Sequence, residues 1–183
     1  MSDELLVKHC SPTLAGIKTA NLFSCMCDSE EELKSTMIYW NKILKIKGLR
    51  CIPMKFDLGR ALIYVYRISK LSNDLEDVKA CELLEKRGYD VDKPEKCIAR
   101  LKKRLSSYEV FPHEIGLFLG YPPEDVYGFI KNKAANCKCV GCWKVYGDEK
   151  YAKQTFEKYK KCTDFYYKQW TKGKALEKLI VKG

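Results

Sequence analysis

Long apolar runs are missing from this sequence. No stretch approaches the roughly 20 uninterrupted apolar residues that a bilayer span needs, and the opening Met1-Ser2-Asp3-Glu4 lacks the basic and then apolar order of a secretory signal. Both absences predict a cytoplasmic protein with no membrane partner. Histidine is scarce, with His9 and His113 the only two. No P-loop, dinucleotide-binding glycine fingerprint, His-Glu-x-x-His zinc motif or Gly-x-Ser-x-Gly elbow occurs, which leaves those nucleotide, protease and hydrolase classes without motif support. Internal repeats, low-complexity tracts and interdomain linkers are lacking too, so the 183 residues are expected to form a single domain, 1–183.

Cysteine and lysine, by contrast, are plentiful. Without an export signal the ten cysteines read as thiols, thiolate ligands or core residues rather than as a disulfide framework. Cys81 and Cys97 fall on the apolar stripes of predicted helices and are expected simply to pack. The net charge of +10 is concentrated at one end, since residues 131–183 hold 14 Lys against five acids. Such an end favours an acidic partner: nucleic acid, an anionic ligand or an acidic protein.

Patterning predicts mixed elements. Leu5-Leu6-Val7 reads as a short strand entering the turn His9-Cys10-Ser11-Pro12-Thr13, because proline cannot continue a central strand. Ser29 and Glu32 form a capping-box pair ahead of a helix with Leu33, Met37, Trp40 and Leu44 on one face, stopped at Gly48. The runs 51–56 and 61–66 read as a β-hairpin. Asn73 is expected to cap a helix running to about Arg87, and Pro94 to open another with Ile98, Leu101 and Leu105 inward. Two short helices should meet at Gly120-Tyr121-Pro122-Pro123, and a strand over 142–146 should precede a long helix over 148–172. The sum is an α+β domain: a small antiparallel sheet including the hairpin near 51–66, packed with several helices and a long C-terminal helix.

Four segments together resemble a known family: His9-Cys10-Ser11-Pro12-Thr13-Leu14-Ala15-Gly16-Ile17-Lys18, Leu62-Ile63-Tyr64-Val65-Tyr66-Arg67, Phe111 to Ile130, and Gly141-Cys142-Trp143-Lys144-Val145-Tyr146-Gly147-Asp148. The chain is similar over almost its whole length to the family termed domain of unknown function 3793. That resemblance implies a bacterial, anaerobic, single-domain context and tilts the reading towards redox or iron biology, with a redox partner such as a flavodoxin. It carries over no catalytic residues.

Three constellations bear chemistry. Cys137, Cys139 and Cys142 place three soft sulfurs within six residues, as zinc or an iron–sulfur cluster would require, although a fourth ligand must come from elsewhere. Cys10 and His113 form a candidate thiol and acid–base pair; His9, Ser11, Thr13 and Glu114 are ligand-binding candidates beside them, and Lys18, Arg67 and Lys144 candidate charge partners. The third is a helix-turn-helix pattern over 114–130, whose second helix opens on Pro123, Glu124 and Asp125 and so would repel DNA phosphates.

The expected function is a thiol- or metal-linked protein of anaerobic redox or iron metabolism. It would bind a small anionic ligand or cofactor between the Cys10 turn and the His113 hairpin. The alternative is a non-catalytic adaptor or nucleic-acid-binding module that uses the basic C-terminal third, where lysines interleave with Tyr151, Phe165, Tyr167 and Trp170. Whether the protein is an enzyme stays open at this point.

Overall fold

The computed structural model describes residues 1–107 and 110–182, and over them the chain is α+β. It forms two compact units. One comprises Met1–Lys70 with Tyr159–Gly183, and the other is the continuous stretch Leu71–Lys158.

The first unit is built on a three-stranded antiparallel sheet of β1 (Ala20–Met26), β2 (Leu49–Asp57) and β3 (Arg60–Arg67), in the order β1-β3-β2. The hairpin β2–β3 falls where the sequence places it. Its two-residue turn holds Leu58 at φ 46° and Gly59 at φ 71°, the double left-handed conformation that keeps the strands' twist in a tight hairpin. Pro53 sits on the edge strand β2 beside a register shift between Pro53 and Lys55, where a missing N–H costs little.

Period-two burial sends Ala61, Ile63 and Val65 of β3 to one sheet face, with Phe23 and Cys25 from β1 and Leu49 and Cys51 from β2. Helices α1 (Glu4–Leu14) and α2 (Glu30–Lys45) supply Leu6, Val7, Cys10, Leu14, Leu33, Met37, Trp40 and Leu44 to the same core. The capping box of α2 forms as expected on its serine side, with Ser29 Oγ accepting from Glu32 N. Its glutamate reaches Asp28 N and the Met1 ammonium.

The predicted strand at Leu5-Leu6-Val7 is instead the first turn of α1, and the predicted turn His9–Thr13 continues the same helix. Pro12 lies inside its last turn, and the helix stops at Gly16 with φ 77°. Proline forfeits one N–H there, but the Pro12 carbonyl accepts from Ile17 N and Lys18 N, and Ser11 Oγ donates to Val7 O. The periodicity was ambiguous because apolar residues at 5–7 and 10 satisfy both a short strand and a buried helix face.

The second unit is helical apart from one small ribbon. The single helix expected from Asn73 to Arg87 is two: α3 (Ile68–Leu75), which begins in the first unit and contains Asn73, and α4 (Val78–Glu85). Asp77 rather than Asn73 is the cap, accepting from Lys79 N and Ala80 N. Helix α5 (Pro94–Ser106) opens on its proline and buries Cys97, Ile98, Leu101 and Leu105. The helical corner forms as α6 (Ile115–Phe118) and α7 (Pro123–Lys131), while the strand expected over 142–146 is the two-residue β5 (Lys144–Val145), paired with β4 (Cys139–Val140), which has no counterpart among the elements expected from the sequence.

The long helix α8 (Glu149–Thr171) starts in the second unit and ends in the first, where the short α9 (Leu176–Leu179) follows. No helix among the described residues is long and apolar enough to cross a membrane.

Candidate ligand pocket of the second unit

The second unit holds a half-open cavity of about 170 Å³. Its floor comes from the corner between α6 and α7, where Ile115, Gly116 and Val126 meet. A Cβ on Gly116 would stand 2.7 Å from Val126 Cγ2 and 3.2 Å from Tyr121 Cδ2, so the glycine is what lets the two helices close up. Aromatic rings make the walls: Phe111, Tyr121, Phe129 and Trp143. Two basic side chains, His113 and Lys144, complete the lining with Asp125.

Asp125 holds the far wall in place. Buried in the first turn of α7, its carboxylate accepts from Trp143 Nε1 at 2.6 Å, Tyr146 N at 2.6 Å and Gly147 N at 2.7 Å. Charge-assisted bonds of this kind are the strong ones in an interior. The Trp143 indole is fixed further by stacking on Tyr121 (centroids 4.8 Å, 29°) and by the edge contact with Phe156 (4.5 Å, 78°). Burial pushes the Tyr121 hydroxyl up to about 12, with the Cys142 thiol adding to the shift, so Tyr121 is a neutral wall at physiological pH.

His113 is exposed at the cavity and its ring lies 5.7 Å from Phe111 and 5.0 Å from Phe129, tilted to both. Lys144 donates to Ala134 O at 2.8 Å. Ala134 belongs to a segment in which Lys133, Ala134 and Asn136 all have positive φ, at 49°, 63° and 57°. Non-glycine residues hold that conformation only when neighbours impose it; Lys144 and the Tyr146 hydroxyl, which donates to Ala135 O at 3.0 Å, are such neighbours.

The other candidates fall elsewhere. Glu114 does not orient His113: it is buried, accepts from Tyr89 Oη at 2.8 Å, and faces Arg104 Nε at 2.8 Å and Arg87 Nε at 3.6 Å. The Arg104 approach is a charge contact rather than an aligned hydrogen bond, since Nε–H finds no acceptor in line among the described residues.

In the first unit Cys10 is fully buried in the core, and burial drives its thiol well above the ordinary range, only partly opposed by the Lys18 charge. Such a thiol is neutral and out of reach, which does not fit a nucleophile. Cys10 and His113 belong to different units. Ser11 is a buried helix residue bonded to Val7 O, and Thr13 donates to Asn21 Oδ1 at 2.7 Å. His9 stacks on Phe23 at 4.9 Å and 8°, and burial, then Lys8, lowers its pKa.

Arg67 is a buried clamp, donating to Thr13 O, Leu14 O and Val181 O at 2.7, 2.7 and 2.8 Å. Lys18 is buried over the ring of Tyr159 at 5.7 Å.

Of the three loop cysteines, Cys137 and Cys139 are half-buried and Cys142 is exposed. Among the described residues no group of three His, Cys, Asp or Glu side chains could hold a metal ion. The arrangement therefore does not fit a zinc or iron–sulfur site at Cys137, Cys139 and Cys142. The ten cysteines, all described, form no disulfide.

Of the twelve candidates, the pocket brings together His113 and Lys144. They come from the segments Phe111 to Ile130 and Gly141 to Asp148, separated by ten residues, which meet at this cavity. The family model described as "Protein of unknown function (DUF3793)" matches residues 6–180, and the chain belongs to that family. No curated protein and no solved structure matches the chain.

Proposed function

We propose that this is a small-molecule-binding protein whose second-unit cavity takes a planar aromatic ligand carrying one negative charge. The supporting observation is the composition of the lining: four aromatic walls with two basic side chains, at a volume of about 170 Å³. An apolar cavity of about 150 Å³ is enough for benzene, so one ring with a small substituent fits. Lys144 uses one N–H on Ala134 O and an ammonium has three donors, leaving capacity for a carboxylate. Asp125 keeps its own charge turned to Trp143 and to two backbone N–H groups.

This reading retains the small anionic ligand expected from the sequence and keeps Lys144 as a charge partner, with His113 in place of Lys18 and Arg67. It uses no thiol and no metal. Calorimetric titration with benzoate, benzamide and cyclohexanecarboxylate tests it. Saturable benzoate binding at one site is expected, at least tenfold weaker for the other two, and reduced about tenfold by Lys144→Met, as loss of a charged hydrogen bond predicts. Equal affinity for all three compounds, or no binding of any, would overturn it.

A further inference from the structure

The sequence offers the basic C-terminal third as a surface for an acidic partner, with lysines and aromatics interleaved along the last long helix. The structure sorts those aromatics. Tyr166 is buried in the first unit's core, and Trp170 is packed against the same core cluster. Tyr159 is half-buried beneath the Lys18 ammonium. These rings are unavailable to a partner. Phe165 is different: on the same stretch of helix it is 57% exposed.

An exposed phenylalanine has no polar atom to justify its contact with water, and its surroundings are basic. Lys161, Phe165, Lys168 and Lys172 follow one another at spacings of four, three and four residues, which puts the first three on one face of α8 and the last just beyond its end. All three lysines are exposed, as is Lys174 after the turn. Asp164 is the acid nearest Phe165 in sequence, and it lines the neighbouring groove with Lys8, Tyr167 and Lys168.

The ridge thus presents a partly exposed ring, in edge contact with Tyr166 (centroids 6.2 Å, 65°) and flanked along the helix by ammonium groups. From Lys161 to Lys172 it runs about 16 Å, at 1.5 Å per residue.

We infer that this ridge binds single-stranded nucleic acid, with Phe165 stacking on a base and Lys168 and Lys172 on the flanking phosphates. Stacking platforms combined with basic tracks are how strands are held without sequence readout, because every base has a π-face. An acidic protein would satisfy the lysines but gives the bare ring no specific role. A duplex keeps its bases stacked inside, out of the ring's reach. The inference is independent of the aromatic pocket, which lies in the other unit.

The test is fluorescence anisotropy of the full chain with labelled oligo(dT) and oligo(U), with a labelled polyglutamate peptide as a polyanion lacking bases. Both oligonucleotides should bind, with affinity falling steeply as salt rises. Phe165→Ala should weaken them about tenfold without changing the salt slope, whereas Lys168→Gln with Lys172→Gln should lower that slope by about two. Circular dichroism confirms that these surface variants stay folded. A Phe165→Ala protein that binds both oligonucleotides as well as the parent, or a parent that binds polyglutamate equally well, would show a merely electrostatic surface and overturn the inference. No oligonucleotide binding at low salt would overturn it too. The ratio of oligo(U) to oligo(dT) affinity then tells RNA from DNA as the preferred strand.

Discussion

Asp125 shows how the charge of a single side chain can be legible in the sequence while its structural role is not. At the start of a helix an acid is favoured by the macrodipole, and the sequence supports nothing more. In the fold its two oxygens collect the Trp143 indole and the Tyr146 and Gly147 backbone N–H groups, so the residue sets the wall of the pocket from 18 to 22 positions away. No local pattern encodes such a contact. Asp125→Ala should cost about 3 kcal/mol in urea unfolding, because it leaves buried donors without their charged acceptor. It should also abolish benzoate binding by releasing Trp143. A variant of parental stability would mean the three bonds contribute little. Cys10 is the opposite case, since its place on a helix face was hidden by the proline two residues on, and its thiol then looked available when it is core.

At the scale of elements, what could be read depended on whether a local rule had a competitor. The hairpin had none: β-branched and aromatic runs bracket Asp57-Leu58-Gly59-Arg60, and the strands form with the expected pairing. The helical corner at Pro122-Pro123 is equally local. The strand β1 passed unnoticed because Ala20–Met26 carries Asn21, Ser24 and two residues of moderate apolarity, and becomes a strand by pairing with β3.

The cap of α2 allows a pH prediction. The Met1 ammonium, then the Asp28 N–H, hold the Glu32 carboxyl at about 2 against an ordinary 4.5. A depressed folded-state value means the stabilisation is complete above about 4.5 and is lost as pH falls through that window towards about 2. Glu32→Gln should therefore flatten the fall of Tm between these two values while leaving the Tm profile above pH 5 parallel to the parent's. An unchanged acid limb in the variant would remove Glu32 from that role.

For the molecule as a whole, the α+β class followed from the order of patterns, whereas the division into two units did not. No linker composition marks residues 70 or 159, and the boundaries fall within helices α3 and α8. The first unit is completed by the end of the chain: Leu176, Leu179 and Ile180 enter its core, Val181 N donates to Leu14 O, and Arg67 donates to Val181 O. Ending the chain at Lys174 should remove on the order of 5 kcal/mol from three buried side chains, which is comparable to the total stability of many domains. Differential scanning calorimetry should then show the first unit's transition lowered or lost. A truncated protein that melts like the parent would make the tail a passenger.

The bond between Leu14 and Val181 also sets an order of events at the ribosome. Every residue of the stretch Leu71–Lys158 is synthesised before Val181 is, whereas the sheet unit must wait for that residue. At about 5–20 residues per second that wait lasts seconds. During it the nascent Cys10, Cys25, Cys27 and Cys51, all buried in the finished core, stand open to oxidants and alkylating agents. The thiols of this core are thus most open to modification while the chain is being made.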